Sequence, residues 1–210
     1  FLLASKEIGV TQESVNLDGV NLPEIVERKK VPADEEFVPH HFDNITDVPA
    51  MSDFGGPHIA RYTTSTHDKA GYLTTKPEVI AEMLEHYRDK IDKAADDIAL
   101  YKEDFEDGAE TLVVSYGITS RSVAVAVREA RDRGVKVSSL VLQTLWPVPE
   151  TAIKNAMKGM KKVVVPEMNL GQYGLEIERL ASDDVAVVPV AKMDTTLLSP
   201  KEIIQKGGLL

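Results

Sequence analysis

A chain of 210 residues with a formal net charge of −10 at pH 7, 43% hydrophobic residues and no cysteine excludes several classes at once. The acidic balance disfavours sequence-independent binding to nucleic acid, which needs basic side chains to displace counterions from phosphates. Without a thiol the polypeptide has no disulfide or thiolate nucleophile and holds no cysteine-ligated zinc or iron–sulfur cluster. No apolar run approaches the roughly 18 to 20 residues of a membrane span, so a soluble, cytoplasmic protein is expected.

The chain opens on "FLLAS", an apolar stretch suited to a buried strand, with no initiator methionine and no signal-peptide pattern. This reads as a fragment, in which residues 1–15 end a preceding domain whose sheet partners lie elsewhere. Pro23, Pro32, Pro39 and Pro49 then break any periodicity while the charge keeps changing sign, as in a linker wrapping a surface. Residues 53–75, rich in Gly, Thr and His, predict an ordered loop with short extended pieces.

Thr75 and Glu78 have capping-box spacing around Pro77, and apolar residues recur at Ile80, Met83, Leu84, Tyr87, Ile91, Ala94 and Ala95. The spacing predicts an amphipathic helix of about 20 to 25 residues, with Glu82, Glu85, Arg88, Asp89 and Lys93 on a solvated face. Linker, loop and helix make up a segment 16–105, followed by a domain 106–210.

In that domain the period alternates. "TLVVSYG" predicts a buried strand, and Val123, Val127 and Ala130 mark a helix stopped by Gly134. "VKVSSLVLQTL" is a second strand. A helix starting at Pro149 places Ile153, Ala156, Met157 and Met160 on one face. "KKVVVPEM" is a third strand, "GQYGLEIERLAS" a helix with Tyr173, Ile177 and Leu180 inward, and "VAVVPV" a fourth strand. Ser199 as N-cap, Pro200 at N1 and Glu202 at N3 open a last helix. Strands alternating with helices over short connections define an α/β chain, ending in a Rossmann-like three-layer αβα domain with a mainly parallel sheet. Pro189 has no N–H for a ladder, so the fourth strand belongs at an edge or carries a bulge.

Ligands of open α/β sheets bind beyond the carboxyl ends of the strands, where helix N-termini face outward. Gly117, Thr119, Ser120 and Arg121 follow the first strand; Glu167, Asn169, Gly171 and Gln172 follow the third. The place suits an anion, yet "YGITSRS" has neither a G-x-G-x-x-G nor a G-x-x-x-x-G-K-[ST] pattern, and no acidic residue ends the second strand. The expectation is that Gly117 turns the chain, Thr119 or Ser120 caps the helix, and Arg121 reaches a neighbouring subunit or solvent. Any ligand at these positions, or at Asn169, Gly171 and Gln172, is shared with another subunit. His40 and His41 with Asp43 could ligate a metal or be two exposed histidines. His67 beside Asp68 could be an oriented base or a pair that orders its loop. Ser115, Ser120 and Ser122 lack a nucleophile elbow, and Trp146 reads as a packing anchor, at an interface where tryptophan is enriched. No catalytic residue and no metal ligand is assigned.

"LVVSYGITSRSVAVAVREARDRGVKVSSLVLQTLWPVPE" and "KKVVVPEMNLGQYGLEIERL" resemble the C-terminal transketolase-like domain of 2-oxoacid:ferredoxin oxidoreductases, in particular the alpha subunit of the 2-oxoglutarate type. "FLLASKEIGVTQESV" is similar to the end of that subunit's pyrimidine-binding domain, and "ARYTTSTHDKAGYLTTKPEV" to its interdomain loop and helix. The resemblance implies a thiamine-diphosphate enzyme that decarboxylates a 2-oxoacid, passes electrons to ferredoxin and releases an acyl-coenzyme A. It further implies that thiamine diphosphate is gripped by the preceding domain and a partner beta subunit. Magnesium and iron–sulfur clusters belong to other subunits, and nothing is bound by this segment alone. Thr195 and Thr196 depart from the glycine expected after the Asp in many relatives, so the last loop is expected to fold differently. Two alternatives stay open. One is the beta subunit of a thiamine-dependent 2-oxoacid dehydrogenase, and the other is a non-catalytic Rossmann-like binding module.

Overall fold

The structure is a computed structural model that describes residue 16, residues 18–21 and residues 24–210. The strand expected at Phe1 to Ser5 and the end of a preceding domain at 1–15 lie outside the described residues. The described chain forms two compact units, one within Asn16–Ala95 and one from Asp96 to Leu210.

The first unit is mostly irregular, as proline and charge alternation predict. Its chain is held by a parallel bridge between Lys30 and Met51 and an antiparallel one between His67 and Leu73. The second bridge closes a tight hairpin in which Asp68 N donates to Tyr72 O at 2.9 Å. Helix α1 spans Pro77–Asp92, shorter than the spacing predicts. Pro77 at N1 fixes Lys76 as N-cap, and no side chain caps it; Thr75 therefore lies one residue too early for a capping box. At the other end Asp92, Asp96 and Asp97 place negative charge against the negative pole of the helix. Ala94 and Ala95 donate instead to Ile91 and Asp92, three residues back, at 3.1 and 3.3 Å. The residue that α1 buries is His86, while Leu84 and Tyr87 of the expected apolar face stay exposed.

The second unit has the predicted βαβ succession. Strand β1 is Tyr101–Asp104, β2 Thr111–Tyr116, α2 Thr119–Asp132, β3 Ser138–Leu142, α3 Glu150–Ala156, β4 Lys162–Glu167, α4 Gly174–Leu180, β5 Ala186–Ala191 and α5 Pro200–Gly207. The sheet order is β1-β3-β2-β4-β5, with β3, β2, β4 and β5 parallel to one another. Strand β1 pairs antiparallel with β3 and escapes sequence reading because all four of its residues are exposed. It is fastened from α2 by Arg131, whose Nη1 donates to both carboxylate oxygens of Asp104 at 3.0 Å.

The inner strands are buried on both faces, so they read as continuous apolar runs. On β2, Val113 joins Val123, Val127, Ile203 and Ile204 on the side of α2 and α5, whereas Leu112 and Val114 join Ile153 and Ile177 on the side of α3 and α4. Pro189 does lie on an edge strand, since β5 pairs with β4 alone. The capping box of α5 also forms as expected. Ser199 Oγ accepts from Glu202 N at 3.2 Å, and Glu202 Oε2 accepts from Ser199 N at 2.9 Å. The Ser199 amide, and then the Lys192 ammonium at 2.9 Å, hold the Glu202 carboxyl down to about 2. In the preceding loop Thr195 takes φ +68°, the left-handed region that favours glycine. The loop thus places a β-branched residue in a glycine-type backbone conformation. Helix α3 begins at Glu150 with Pro149 as its N-cap, one residue later than expected.

Candidate functional site

The carboxyl ends of β2 and β4 carry a buried polar cluster centred on Glu167, which is 1% exposed. Carrying the β2–β4 register from Thr111 beside Lys162 to the strand ends puts Tyr116 level with Glu167. Tyr116 Oη accordingly donates to Glu167 Oε2 at 2.8 Å. The same oxygen accepts from Asn169 Nδ2 at 3.1 Å and from the backbone N of Tyr173 at 2.9 Å, while Oε1 accepts from Gly174 N at 2.8 Å. Every partner is a donor, which is the pattern of an acceptor-only carboxylate.

Tyr173 and Gly174 are the N-cap and first residue of α4. Their free N–H groups and the positive helix pole are what an external phosphate would use. Here the chain's own carboxylate takes that place. Asn169 completes the arrangement: its Oδ1 accepts from Gly171 N at 2.7 Å and Gln172 N at 3.0 Å, so both amides face inward. Gly171 turns the loop at φ +87°. Burial, followed by the Glu167 hydrogen bond, pushes the Tyr116 phenol far above its usual range. Burial and then the charges of Glu176 and Glu167 raise Tyr173 to about 12. Both phenols stay protonated and serve as donors.

At the end of β2, Gly117 has φ +57° and turns the chain as expected, but neither Thr119 nor Ser120 caps α2. The N-cap is Ile118, in helical conformation and without a side-chain cap. The Ser120 hydroxyl donates to Gly117 O at 2.7 Å, and Thr119 is buried. An early helical turn at Ile118 leaves no extended residue whose side chain could fold back onto the first amides. Arg121 projects from the exposed side of α2.

Trp146 does not pack within this chain, being 72% exposed, so only its interface reading stays open; Pro147 and Pro149 are the buried residues of "LWPVP". Leu170, Met193 and Leu197 in the connections and Leu175 in the first turn of α4 are exposed as well, so three connections and one helix start at this end of the unit carry uncovered apolar side chains. His41 meets Asp43 at 3.2 Å, and no group of three metal-ligating side chains forms among the described residues. His40 is partly buried, its ring 4.1 Å from that of His67, so the two-exposed-histidines reading fails for it. His67 and Asp68 do not pair. His67 uses Nδ1 on Ser65 O at 2.8 Å, and Asp68 Oδ1 accepts from Ala70 N and Tyr72 N at 3.0 Å, because adjacent side chains of the hairpin point apart. Ser115 is buried within β2.

Comparison with known proteins agrees with this geometry. The sequence model of pyruvate:ferredoxin oxidoreductase core domain II matches residues 109–203, from just before β2 into α5. The αβα unit is a domain of that class. Across 204 residues, 97% of the chain, it is 36% identical to the 2-oxoglutarate synthase subunit KorA of Methanocaldococcus jannaschii, covering 54% of that protein. KorA of Methanothermobacter marburgensis is 37% identical over 192 residues, 89% of the chain and 51% of that subunit. Ketoisovalerate oxidoreductase subunit VorB of Methanothermobacter thermautotrophicus matches half of the chain at 35% identity, and 30% of its own length is covered. The chain belongs to the 2-oxoacid:ferredoxin oxidoreductase family, and it spans about half the length of the KorA subunits it matches. Its fold is shared with 2-oxoglutarate:ferredoxin oxidoreductase from Magnetococcus marinus. The TM-score is 0.73 at 22% identity, over 87% of this chain and 32% of that one. No helix among the described residues is long and apolar enough to cross a membrane.

Proposed function

We propose that this chain is part of the alpha subunit of a cytoplasmic, thiamine-diphosphate-dependent 2-oxoacid:ferredoxin oxidoreductase acting on 2-oxoglutarate, and that it serves there as scaffold and subunit interface. The reaction converts a 2-oxoacid, coenzyme A and oxidised ferredoxin to acyl-coenzyme A, carbon dioxide and reduced ferredoxin. The observation that carries the reading is the similarity to KorA subunits along nearly the whole chain. The match to VorB is shorter, which favours 2-oxoglutarate over branched-chain 2-oxoacids. In this reading residues 1–15 end a pyrimidine-binding domain, 16–105 connect it, and 106–210 form the transketolase C-terminal-like domain.

Glu167 occupies the N-terminal pole of α4, so the diphosphate of thiamine diphosphate does not fit there. No chemical step is therefore assigned to this chain. Its contribution is the carboxyl end of the sheet, where Trp146 after β3, Leu170 after β4, Leu175 at the start of α4, and Met193 and Leu197 after β5 present apolar surface to a beta subunit, as exposed apolar groups at one end of a domain favour association. Gly117, Thr119, Ser120, Arg121, Asn169, Gly171 and Gln172 then shape an interface, and any coenzyme A reaching them is shared with the partner. The parent complex, purified from its host, is expected to reduce a viologen dye with 2-oxoglutarate only when coenzyme A is present. Dye reduction with pyruvate but not 2-oxoglutarate would overturn the substrate assignment, and no 2-oxoacid-dependent reduction would overturn the enzyme.

A further inference from the structure

The unit within residues 16–95 holds a partly open cavity of about 280 Å3, which lies outside the segment matched by the oxidoreductase domain. A dry cavity near 150 Å3 already admits benzene, so this one has room for an aromatic ring and a substituent. Its walls are largely rings. Phe42 is the covered one: His86 stacks on it with centroids 4.0 Å apart and planes within 2°, and Lys69 Nζ lies 4.0 Å from its ring centroid. The His40 ring packs against His67 at 4.1 Å and meets Tyr62 edge-on at 5.7 Å.

The histidines act as walls, not as ligating groups. His67 and His86 present Nδ1 to the carbonyls of Ser65 at 2.8 Å and Ile45 at 2.7 Å. A carbonyl only accepts, so those nitrogens carry the hydrogens. The Nε2 atoms of His40 and His86 are buried and have no hydrogen-bond partner among the described residues, and His67 Nε2 faces Tyr87 Oη at 3.3 Å. Burial, with the charges of His67 and Arg28, lowers the pKa of His40, which keeps that ring neutral.

The charges bordering the cavity do not cancel. Glu82 is paired with Lys69 at 2.8 Å, and Asp68 is engaged by two backbone amides. Arg28 donates Nε and Nη2 only to Pro49 O, at 3.1 and 2.9 Å. Lys90 Nζ lies 5.6 Å from the Tyr87 ring. Neither cation has a carboxylate within ion-pair distance among the described residues. Asp68 keeps its charge, so the lining sets the three cations Arg28, Lys69 and Lys90 against the two carboxylates Asp68 and Glu82, a surplus of one positive charge.

We propose that this cavity is a binding site for a small aromatic carboxylate, its ring lodged beside His40, Tyr62, His67 and Tyr87 and its anionic group at the Arg28 and Lys90 border. The inference is independent of the ferredoxin-linked reading. The test is a 19F titration of the 210-residue chain with 4-fluorophenylacetate, with 1H–15N spectra to locate the site. Expected are saturable one-site binding with amide shifts confined to residues 28–90, and at least tenfold weaker binding of 4-fluorophenylacetamide. Arg28→Gln with Lys90→Gln should weaken the carboxylate about tenfold while the spectrum stays folded, and Val79→Phe, which fills the cavity, should abolish binding. Absence of saturation, equal binding of the amide, unchanged affinity in the charge variant, or shifts confined to residues 96–210 would each overturn the proposal.

Discussion

Replacing Glu167 by Leu is expected to destabilise the αβα unit by about 4 kcal/mol, because one buried carboxylate satisfies four donors. Without it the Tyr116 hydroxyl and the amides of Tyr173 and Gly174 lose their acceptor in a site that is nearly closed to water, and each orphaned buried donor costs about 1–3 kcal/mol. Tyr116 and Asn169 can still bond to one another at 2.8 Å, which keeps the loss below the sum of the parts. Glu167→Gln keeps the shape and one acceptor oxygen, and should lose about 1–2 kcal/mol. Urea denaturation of both variants checks the order; a Leu variant as stable as the Gln variant would mean that packing alone holds the loop.

Gly71→Ala is expected to open the 66–74 hairpin by about 3 kcal/mol while leaving the αβα unit unchanged. Gly71 is buried with φ +82°, where a Cβ costs about 1–2 kcal/mol. That Cβ would also collide with the backbone carbonyl of Arg61, which cannot swing away as a side chain could. Overpacking of this kind adds about 1–3 kcal/mol. The reduced freedom of alanine in the unfolded chain returns less than about 1 kcal/mol. Amide exchange should then rise about 100-fold at Thr74 and Tyr72, whose partners lie across the turn. Wild-type exchange rates there would show that the two strands separate without cost.

Much of this molecule is legible in its sequence because burial on both faces leaves apolar runs of definite length, as in "TLVVSY" and "KVVVPE". Ser199, Pro200 and Glu202 announce their helix start by local chemistry alone, and the missing N–H of Pro189 marks an edge. Strand β1 is silent because "YKED" has no buried face, its place being set by β3 and Arg131. The capping of α1 misleads since Pro77, not Thr75, fixes the first turn. Whether Trp146 packs inside the chain or faces outward depends on where its loop points, which composition does not encode, and it faces outward.

The candidate site was half legible. The strand–helix junctions mark where an anion would sit, but not that Glu167 already sits there. The signal was present in a carboxylate ending an apolar strand, level with Tyr116 on the neighbouring one: a buried acid must find donors, and the amides at Tyr173 and Gly174 are the nearest without partners. The cavity in residues 16–95 left no trace, since its lining residues are brought together by loops with no period.

The measurement that bears most directly on the scaffold assignment is calorimetric titration of the 210-residue chain with thiamine diphosphate plus magnesium, and separately with coenzyme A. Glu167 closing the α4 pole predicts no saturable binding of either. One-to-one binding in the micromolar range that weakens on Asn169→Ala or Ser120→Ala would contradict it and place a complete ligand site in this chain.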